Sequence, residues 1–133
     1  MPATIPPEAR DLVESDVPAV VSYADEAGRI LSWPLWVELV DGRVVFSADR
    51  GSRKGAHLRR DPEVGVLFLD RHDPERYLSV SGRVVEIHDD PDSTMIDRLA
   101  MRYQGRPYEE RDVPREVYVV EVSRVAFMRG AGG

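Results

Sequence analysis

Apolar residues in this chain recur in short runs separated by turn-forming residues, a pattern that predicts a mainly β protein. Six runs have the length and composition of strands, and they cover residues 18–23, 30–40, 43–48, 63–69, 77–87 and 116–122. The fourth run is almost wholly apolar, so we expect it to be buried on both faces. The last run can continue to Phe127. Asp41 and Gly42 between the second and third runs are a strong hairpin signal.

Two residues within these runs predict local irregularities. Pro34 lies in the second run and has no N–H to donate to a strand ladder, so we expect that strand to be at an edge or bulged there. Gly82 lies in the middle of the long fifth run, where a bulge or a bend is predicted.

Helical patterns are few and short. A helix is predicted over residues 7–14, within an N-terminal segment of residues 1–16, and another from Arg53 to Arg60 with Ser52 as its cap. A third follows the Asp-rich turn at 89–92 and runs from residue 93 to about 103; its expected apolar positions are Met95, Ile96, Leu99 and Met101. Residues 128–133 are predicted to be a flexible tail.

Six strands with hairpin-length connections favour an antiparallel sheet that closes into a barrel. At 133 residues the chain is expected to form one domain over residues 1–133. The net charge of −6 argues against a nucleic-acid partner. No apolar run approaches a membrane span, no signal-peptide pattern is visible, and the lack of Cys fits a reducing cytoplasm. His57, His72 and His88 are scattered, so no metal site is expected.

One region of this acidic chain is strongly basic. Residues 43–60 hold six Arg or Lys and one Asp, which gives 6 − 1 = +5, and they include Lys54, the single lysine beside seventeen arginines. Cations are disfavoured at a helix N-terminus, so Arg53 and Lys54 beside Ser52 make sense if an anion, most simply a phosphate, is bound there. Both can instead be solvated charges, and Ser47 can be an ordinary strand-end hydroxyl.

The two tryptophans also allow two interpretations. Trp33 and Trp36 are three positions apart on one predicted strand, so they point to opposite faces. At least one of them is expected in the core or in a subunit interface, which is the common environment of Trp. The other is free to border a planar ligand.

The order of these motifs resembles the pyridoxamine 5'-phosphate oxidase-like FMN-binding split β-barrel family. Within it, the chain looks most like the small actinobacterial flavin/deazaflavin oxidoreductases that depend on coenzyme F420. The resemblance covers about residues 17–127 and is carried by five segments, namely 33–37, 45–47, 51–54 with 58–62, 76–83, and 102–103. In one departure, this chain has His57 where family members often have Asn.

The resemblance implies a six-stranded antiparallel split β-barrel that forms a homodimer with two cofactor sites at the interface. It would place the cofactor phosphate on Ser47, Arg53 and Lys54, in the loop that Ser52 closes. The tricyclic ring would lie along one strand segment, made of Trp33, Pro34, Leu35, Trp36 and Val37. Catalytic residues are not identified.

The activity that the resemblance implies is hydride transfer from reduced coenzyme F420 to a small unsaturated substrate. FMN is the alternative cofactor, because its terminal phosphate would suit the same loop. The longer acidic tail of the deazaflavin would need further cations, for which Arg50 and Arg59 are candidates. Two other readings stay open: a protein that binds a flavin, a deazaflavin or a haem-like ligand without turnover, and a structural dimerisation domain that binds no ligand at this loop.

Overall fold

Seven antiparallel strands form one sheet in the computed structural model, which describes residues 2–130. The strands are β1 Ala19–Ala24, β2 Ile30–Leu35, β3 Val37–Val40, β4 Arg43–Asp49, β5 Glu63–Leu69, β6 Arg76–Asp89 and β7 Arg115–Arg129. Their order across the sheet is β2-β1-β5-β6-β7-β4-β3. The prediction of a mainly β, antiparallel architecture is therefore confirmed.

The sheet closes at Trp36. This residue alone separates β2 from β3, yet these two strands are the opposite edges of the sheet. Because two Cα–Cα steps span at most about 7 Å, the two edges must meet there and the sheet curls into a barrel. The prediction of a single strand over 30–40, and hence of six strands, is wrong: the run changes edges at Trp36. Pro34 lies on edge strand β2, as expected, where it faces Val20 of β1.

The barrel interior is the main core. Alternate residues of the inner strands point into it and are almost fully buried, including Val44, Phe46, Leu78, Tyr118 and Val120. The rings of Phe46 and Tyr118 stack with centroids 5.2 Å apart.

Strand β5 is buried on one face only. Val64, Val66 and Phe68 point inward, whereas Leu67 and Leu69 on the outer face are partly exposed. The expected burial on both faces is wrong because the outside of the sheet is only partly covered here. Short apolar runs do not distinguish a strand buried on both faces from one with an apolar outer surface.

The helices are short and lie around the barrel. A 3-10 turn at Pro7–Ala9 continues into α1, Arg10–Glu14, and together they match the predicted N-terminal helix. Helix α2, Arg53–Arg60, has the predicted bounds. A 3-10 turn at Pro91–Ser93 leads into α3, Thr94–Gln104.

The start and the burial of α3 differ in part from the prediction. The Asp90 carboxylate accepts hydrogen bonds from the amides of Met95 and Ile96, at 2.9 and 3.1 Å, so the Asp-rich turn does cap the helix. Ile96 and Leu99 are buried, but Met101 is about half exposed at 53%. Ala100 is buried instead, because it is four positions after Ile96 and lies on the same helix face as Ile96 and Leu99, whereas Met101 lies off that face.

The turns and the bulge follow the sequence signals. Asp41 and Gly42 have positive φ angles of 50° and 79°, as a tight hairpin turn requires. The register between β6 and β7 shifts between Ser81 and Gly82, so the predicted bulge is confirmed. Strand β7 extends to Arg129, into the predicted tail; residues 131–133 of that tail lie outside the described residues. Within residues 2–130, no helix is long and apolar enough to cross a membrane.

Candidate functional site

The strongly basic residues 43–60, called the basic loop below, turn sharply from β4 into α2. Gly51 has φ 80°, which allows the tight turn, and the Ser52 amide donates to the Asp49 carbonyl at 3.1 Å. The Ser52 hydroxyl caps the helix by accepting from the Gly55 amide at 3.1 Å. The cap satisfies only the third amide of the helix. The first two, those of Arg53 and Lys54, have no acceptor within the helix and are left for a ligand or water.

Helix α2 is fixed to the barrel by its next turn. Gly55 packs so closely on Tyr118 that a Cβ would clash with the tyrosine hydroxyl. That hydroxyl donates to Glu116 Oε1 at 3.1 Å, and Arg59 Nη2 donates to Glu116 Oε2 at 2.5 Å. Burial, followed by the neighbouring Glu116 charge, raises the pKa of Tyr118 above its ordinary value. The first turn of α2, with Arg53 and Lys54, is therefore held in one place against β7.

The cations of the loop divide into those that are engaged within the protein and two that are not. Arg43 pairs with Glu121 at 4.0 Å, Arg50 with Asp89 at 3.0 Å and Arg59 with Glu116 at 2.5 Å. Arg60 donates to the carbonyl of Ala24 at 3.5 Å. Within residues 2–130, Arg53 and Lys54 have no ion pair and no side-chain hydrogen bond. The excess positive charge is thus concentrated at the start of α2.

Lys54 lies in an unfavourable setting for a cation. Its side chain is partly buried. Burial lowers the pKa of the Lys54 ammonium below its ordinary value of 10.5, the nearby charge of Arg115 lowers it further, and Asp49 opposes the shift. A partly desolvated ammonium beside a second cation is stabilised by an added anion.

Ser47 is the second predicted site residue in this neighbourhood. It is nearly buried, and its hydroxyl accepts a hydrogen bond from Arg115 Nε at 2.9 Å. Arg115 Nη1 also donates to Asp49 Oδ1 at 2.6 Å. The guanidinium lies 5.0 Å from the centre of the Tyr108 ring, in a cation–π arrangement. Arg115 thus joins Ser47 to Asp49, and its charge also acts on Lys54.

Trp36 joins the same side of the molecule through aromatic contacts. Its ring stacks on Tyr103 with centroids 5.7 Å apart and meets the edge of Tyr108 at 6.4 Å. The Tyr103 hydroxyl donates to the Val37 carbonyl at 3.0 Å and accepts from the Val37 amide at 3.2 Å. These contacts attach α3 to the chain where the barrel edges meet.

Trp33 and Arg53 lie together at a different place, in the wall of a cavity of about 970 Å³. Trp33 is 48% exposed, and its indole N–H donates to the Tyr23 hydroxyl at 2.9 Å. The ring of His57 lies 6.0 Å from that of Tyr23. The cavity is open to solvent and is lined by both charged and apolar side chains. Its other lining residues are Asp25, Glu26, Ala27, Arg29, Leu31 and Ala56.

The predicted site residues therefore fall into two groups. Ser47 bonds to Arg115 and Trp36 contacts Tyr108, and the charge of Arg115 acts on Lys54. Arg53 and Trp33 instead share the cavity beside Tyr23. Four residues remain. Ser52 caps α2, and the other three are at the barrel edge: Pro34 is exposed, Leu35 packs partly on the core, and Val37 is fully buried.

Sequence reasoning missed Arg115 and Asp49. They lie 66 positions apart and become neighbours only through the pairing of β4 with β7, in which they are direct partners. Side chains alternate along β4, so Ser47 and Asp49 lie on one face of the strand. This alternation is the one sequence signal that could have added Asp49 to the predicted site. Within residues 2–130, no group of three or more His, Asp or Glu side chains could hold a metal ion.

Residues 5–129 match the family model described as pyridoxamine 5'-phosphate oxidase, and the chain belongs to this family. The closed antiparallel sheet is the split β-barrel of that family, as the resemblance implied. No curated protein matches the chain.

Solved structures share the fold at low sequence identity. An F420 reductase superposes with a TM-score of 0.84 at 23% identity, over 92% of this chain and 98% of that one. The conserved hypothetical protein Rv2991 from Mycobacterium tuberculosis gives 0.73 at 22% identity, over 96% and 86% of the two chains. HupZ from Group A Streptococcus gives 0.71 at 21% identity, over 97% and 100%.

Proposed function

We propose that this chain is an oxidoreductase that binds coenzyme F420, a phosphate-bearing deazaflavin, and reduces a small unsaturated organic substrate. The observation that carries the proposal is the pair of cations at the start of α2. Arg53 and Lys54 have no carboxylate partner within residues 2–130, although Arg50 and Arg59 on either side of them do. Charges that the fold leaves unbalanced at a rigid helix N-terminus are suited to a bound anion.

The donors around this point fit a phosphate group. The Lys54 ammonium, the Arg53 guanidinium and the first two amides of α2 can donate hydrogen bonds, and the Ser47 hydroxyl can add another. Phosphate oxygens are acceptors, and their negative charge would relieve the cost of the partly buried Lys54. Because Arg53 lines the cavity beside Tyr23 and Ser47 bonds to Arg115, a ligand that uses both residues would extend from one group to the other.

The chain's own residues would hold the cofactor and border its ring. When bound in its reduced form, the deazaflavin supplies the hydride. Trp33 and Trp36 offer aromatic surface beside the two groups of donors, and Pro34 leaves the backbone of an edge strand without one ladder donor. The structural likeness to an F420 reductase supports this choice of cofactor.

FMN is the second candidate, and the ion pairs of two arginines favour it. Arg50 and Arg59 are the arginines expected to contact the long acidic tail of the deazaflavin. Arg50 is 3.0 Å from Asp89, and Arg59 is 2.5 Å from Glu116. Binding the tail through them would require these pairs to open, whereas the single terminal phosphate of FMN makes no such demand.

Fluorescence titration with oxidised coenzyme F420 and, in parallel, with FMN tests the proposal. Tighter binding of the deazaflavin, followed by oxidation of its reduced form in the presence of unsaturated acceptors, is the expected result. Tighter binding of FMN would assign the chemistry to the flavin. Tight binding with no turnover across a broad panel of acceptors would indicate a carrier or sensor, and binding of neither would contradict the proposal.

We also propose that the chain is a homodimer. The outer face of β1 and β5 supports this, because Val20, Leu67 and Leu69 are partly exposed there. Exposed apolar surface on a sheet is typical of an interface. Light scattering after size-exclusion chromatography should give twice the monomer mass of 15.0 kDa; a monomer across the micromolar range would contradict it.

A further inference from the structure

Arg115 is an arginine that is buried, although charged side chains are usually exposed at the surface. It is only 8% exposed and begins strand β7, directly opposite Asp49 of β4. Two of its three nitrogens have partners: Nε donates to Ser47 Oγ at 2.9 Å and Nη1 donates to Asp49 Oδ1 at 2.6 Å. Within residues 2–130, Nη2 has no hydrogen-bond partner. The side chain is thus oriented by two bonds that diverge from one planar group.

The bond to Ser47 determines how that hydroxyl can act. A serine hydroxyl has one proton and two lone pairs, and a guanidinium can only donate. Ser47 must therefore accept from Arg115, and its own proton is directed elsewhere. Within residues 2–130, no acceptor for that proton is present. The Ser47 hydroxyl can consequently donate its proton in a hydrogen bond to a ligand.

The environment keeps this arrangement in place. The Tyr108 ring covers the guanidinium at 5.0 Å, and the same ring lies nearly perpendicular to that of Trp36, with centroids 6.4 Å apart. A hydrogen bond shielded from water in this way is stronger than an exposed one.

The charge of the cluster also favours an anion. Arg115 and Lys54 contribute two positive charges and Asp49 one negative, which gives 2 − 1 = +1. Burial lowers the pKa of the Lys54 ammonium, and the charge of Arg115 lowers it further. A bound phosphate would lie beside both cations and offset their repulsion.

We propose that Arg115 is a positioning residue of the phosphate site: it holds the Ser47 hydroxyl as a donor, and through it sets the preference for phosphorylated over phosphate-free ligands. This inference rests on the proposed function, because it assumes that a cofactor phosphate binds at Ser47 and Lys54. It adds a role for a residue that is outside the basic loop and distant from it in sequence.

The test measures a ratio of affinities that a general loss of stability does not change. Affinities are measured for FMN and riboflavin, and for coenzyme F420 and its phosphate-free chromophore. The ligand preference is the affinity ratio within each pair. Arg115→Lys keeps the charge but loses the planar fork that engages Ser47 and Asp49 together. We expect it to lower the preference about tenfold, the effect of one charge-assisted hydrogen bond.

Making Arg115→Lys in a Ser47→Ala background separates the effect of Arg115 on the Ser47 hydroxyl from the effect of its positive charge on the ligand. If Arg115 acts through Ser47, Arg115→Lys should have no further effect on the preference once the hydroxyl is gone. An equal loss in both backgrounds, or no loss in either, would overturn the inference.

A second variant keeps the test valid if Arg115→Lys does not fold. The Asp49 side chain is about half exposed at 51%, so Asp49→Ala is expected to fold. It removes the anchor of Arg115 and also removes a negative charge from the site. A positioning role predicts a lower preference for the phosphorylated ligand, whereas a purely electrostatic role predicts a higher one. An unchanged or raised preference overturns the inference.

The two proposals can fail separately. If the wild-type protein has no preference for the phosphorylated member of either pair, the phosphate site and the role of Arg115 are both wrong. If the wild-type preference is clear but is insensitive to Arg115→Lys and Asp49→Ala, only the role of Arg115 is wrong.

Discussion

The hydroxyl of Tyr118 occupies the space that a side chain on Gly55 would need. Gly55 is in the first turn of α2, and Tyr118 is fully buried in β7. A Cβ at position 55 would clash with the tyrosine hydroxyl and come within 3.0 Å of Arg59 Nη1. The position of the unbalanced cations Arg53 and Lys54 therefore depends on a contact inside the barrel wall.

Gly55→Ala should destabilise the fold by about 1–3 kcal/mol, the usual effect of overpacking a closely packed site. In an open helix the same change would stabilise by up to about 1 kcal/mol, so the sign of the effect is informative. Urea unfolding measures it. Gly65→Ala is the control, because a Cβ there would meet only the Val80 carbonyl at 3.9 Å.

Making Gly55→Ala in a Tyr118→Phe background tests whether the tyrosine hydroxyl causes the destabilisation. Without the hydroxyl, Gly55→Ala should cost clearly less than in the wild type. A Gly55→Ala protein as stable as the wild type would show that α2 can shift away from β7, and that the loop is not held as described.

Tyr103→Phe should destabilise the protein by about 1–2 kcal/mol, because it removes the oxygen that accepts from the Val37 amide and one of the two donors to the Val37 carbonyl, the other being Arg102 Nη1 at 3.0 Å. Both of these groups bond to the Tyr103 hydroxyl, at 3.2 and 3.0 Å. The stacking on Trp36 is retained in the variant, so the change isolates the hydrogen bonds. Tyr108→Phe serves as the matched control. Equal stability of the two variants in chemical unfolding would contradict this role of Tyr103.

Asp70 gives the clearest pH dependence. Its carboxylate accepts from the amides of His72 and Asp73 and from Arg76, and these bonds lower its pKa from 3.8 to about 2. The folded state therefore favours the ionised form. The stabilisation is present above pH 3.8 and is lost as the pH falls through about 2.

Asp70→Asn should accordingly be less stable than the wild type near neutral pH, and the difference should shrink between about pH 4 and pH 2. Unfolding curves at several pH values measure this difference. Asp112→Asn, which alters an exposed carboxylate, is the comparison. A difference that does not vary with pH would contradict the assignment.

Lys54→Met should leave the free protein as stable as the wild type at pH 7, or make it more stable. The pKa of Lys54 is lowered from 10.5, chiefly by burial, so the folded state disfavours the charged lysine. Between the lowered pKa and 10.5 the unfolded chain binds more protons, so the wild type gains stability relative to the variant as the pH rises. Chemical unfolding at pH 7 and pH 10 measures both effects. A variant that is markedly less stable at pH 7 would indicate a structural lysine.

Local signals in the sequence were sufficient for most elements of the fold. The Asp41 and Gly42 turn, the cap at Ser52 and the bulge at Gly82 each depend on residues that are neighbours in the chain or on the conformational freedom of one glycine. The division of residues 30–40 could not be read in the same way. Both halves are apolar, and only closure of the barrel makes Trp36 the point where one edge ends and the other begins.

The candidate site was predictable in part for a similar reason. Arg53 and Lys54 are notable because the helix dipole disfavours them, which is a local effect. In the part of the chain that the structure describes, these two cations have no carboxylate partner, because residues such as Asp89 and Glu116 pair instead with Arg50 and Arg59 across the fold. Arg115 reaches Ser47 only through strand pairing, so no spacing within the sequence indicates it.

The most direct test of the phosphate site compares Lys54→Met with Arg124→Met. Both variants remove one positive charge, but Arg124 is exposed on β7 opposite Ser81, away from the basic loop. The measurement is the affinity for coenzyme F420 and for FMN, each relative to its phosphate-free counterpart. We predict that Lys54→Met lowers the preference for the phosphorylated ligand at least about tenfold, while Arg124→Met leaves it unchanged. Equal preferences in the wild type and in a folded Lys54→Met protein would contradict the assignment of the phosphate to the start of α2.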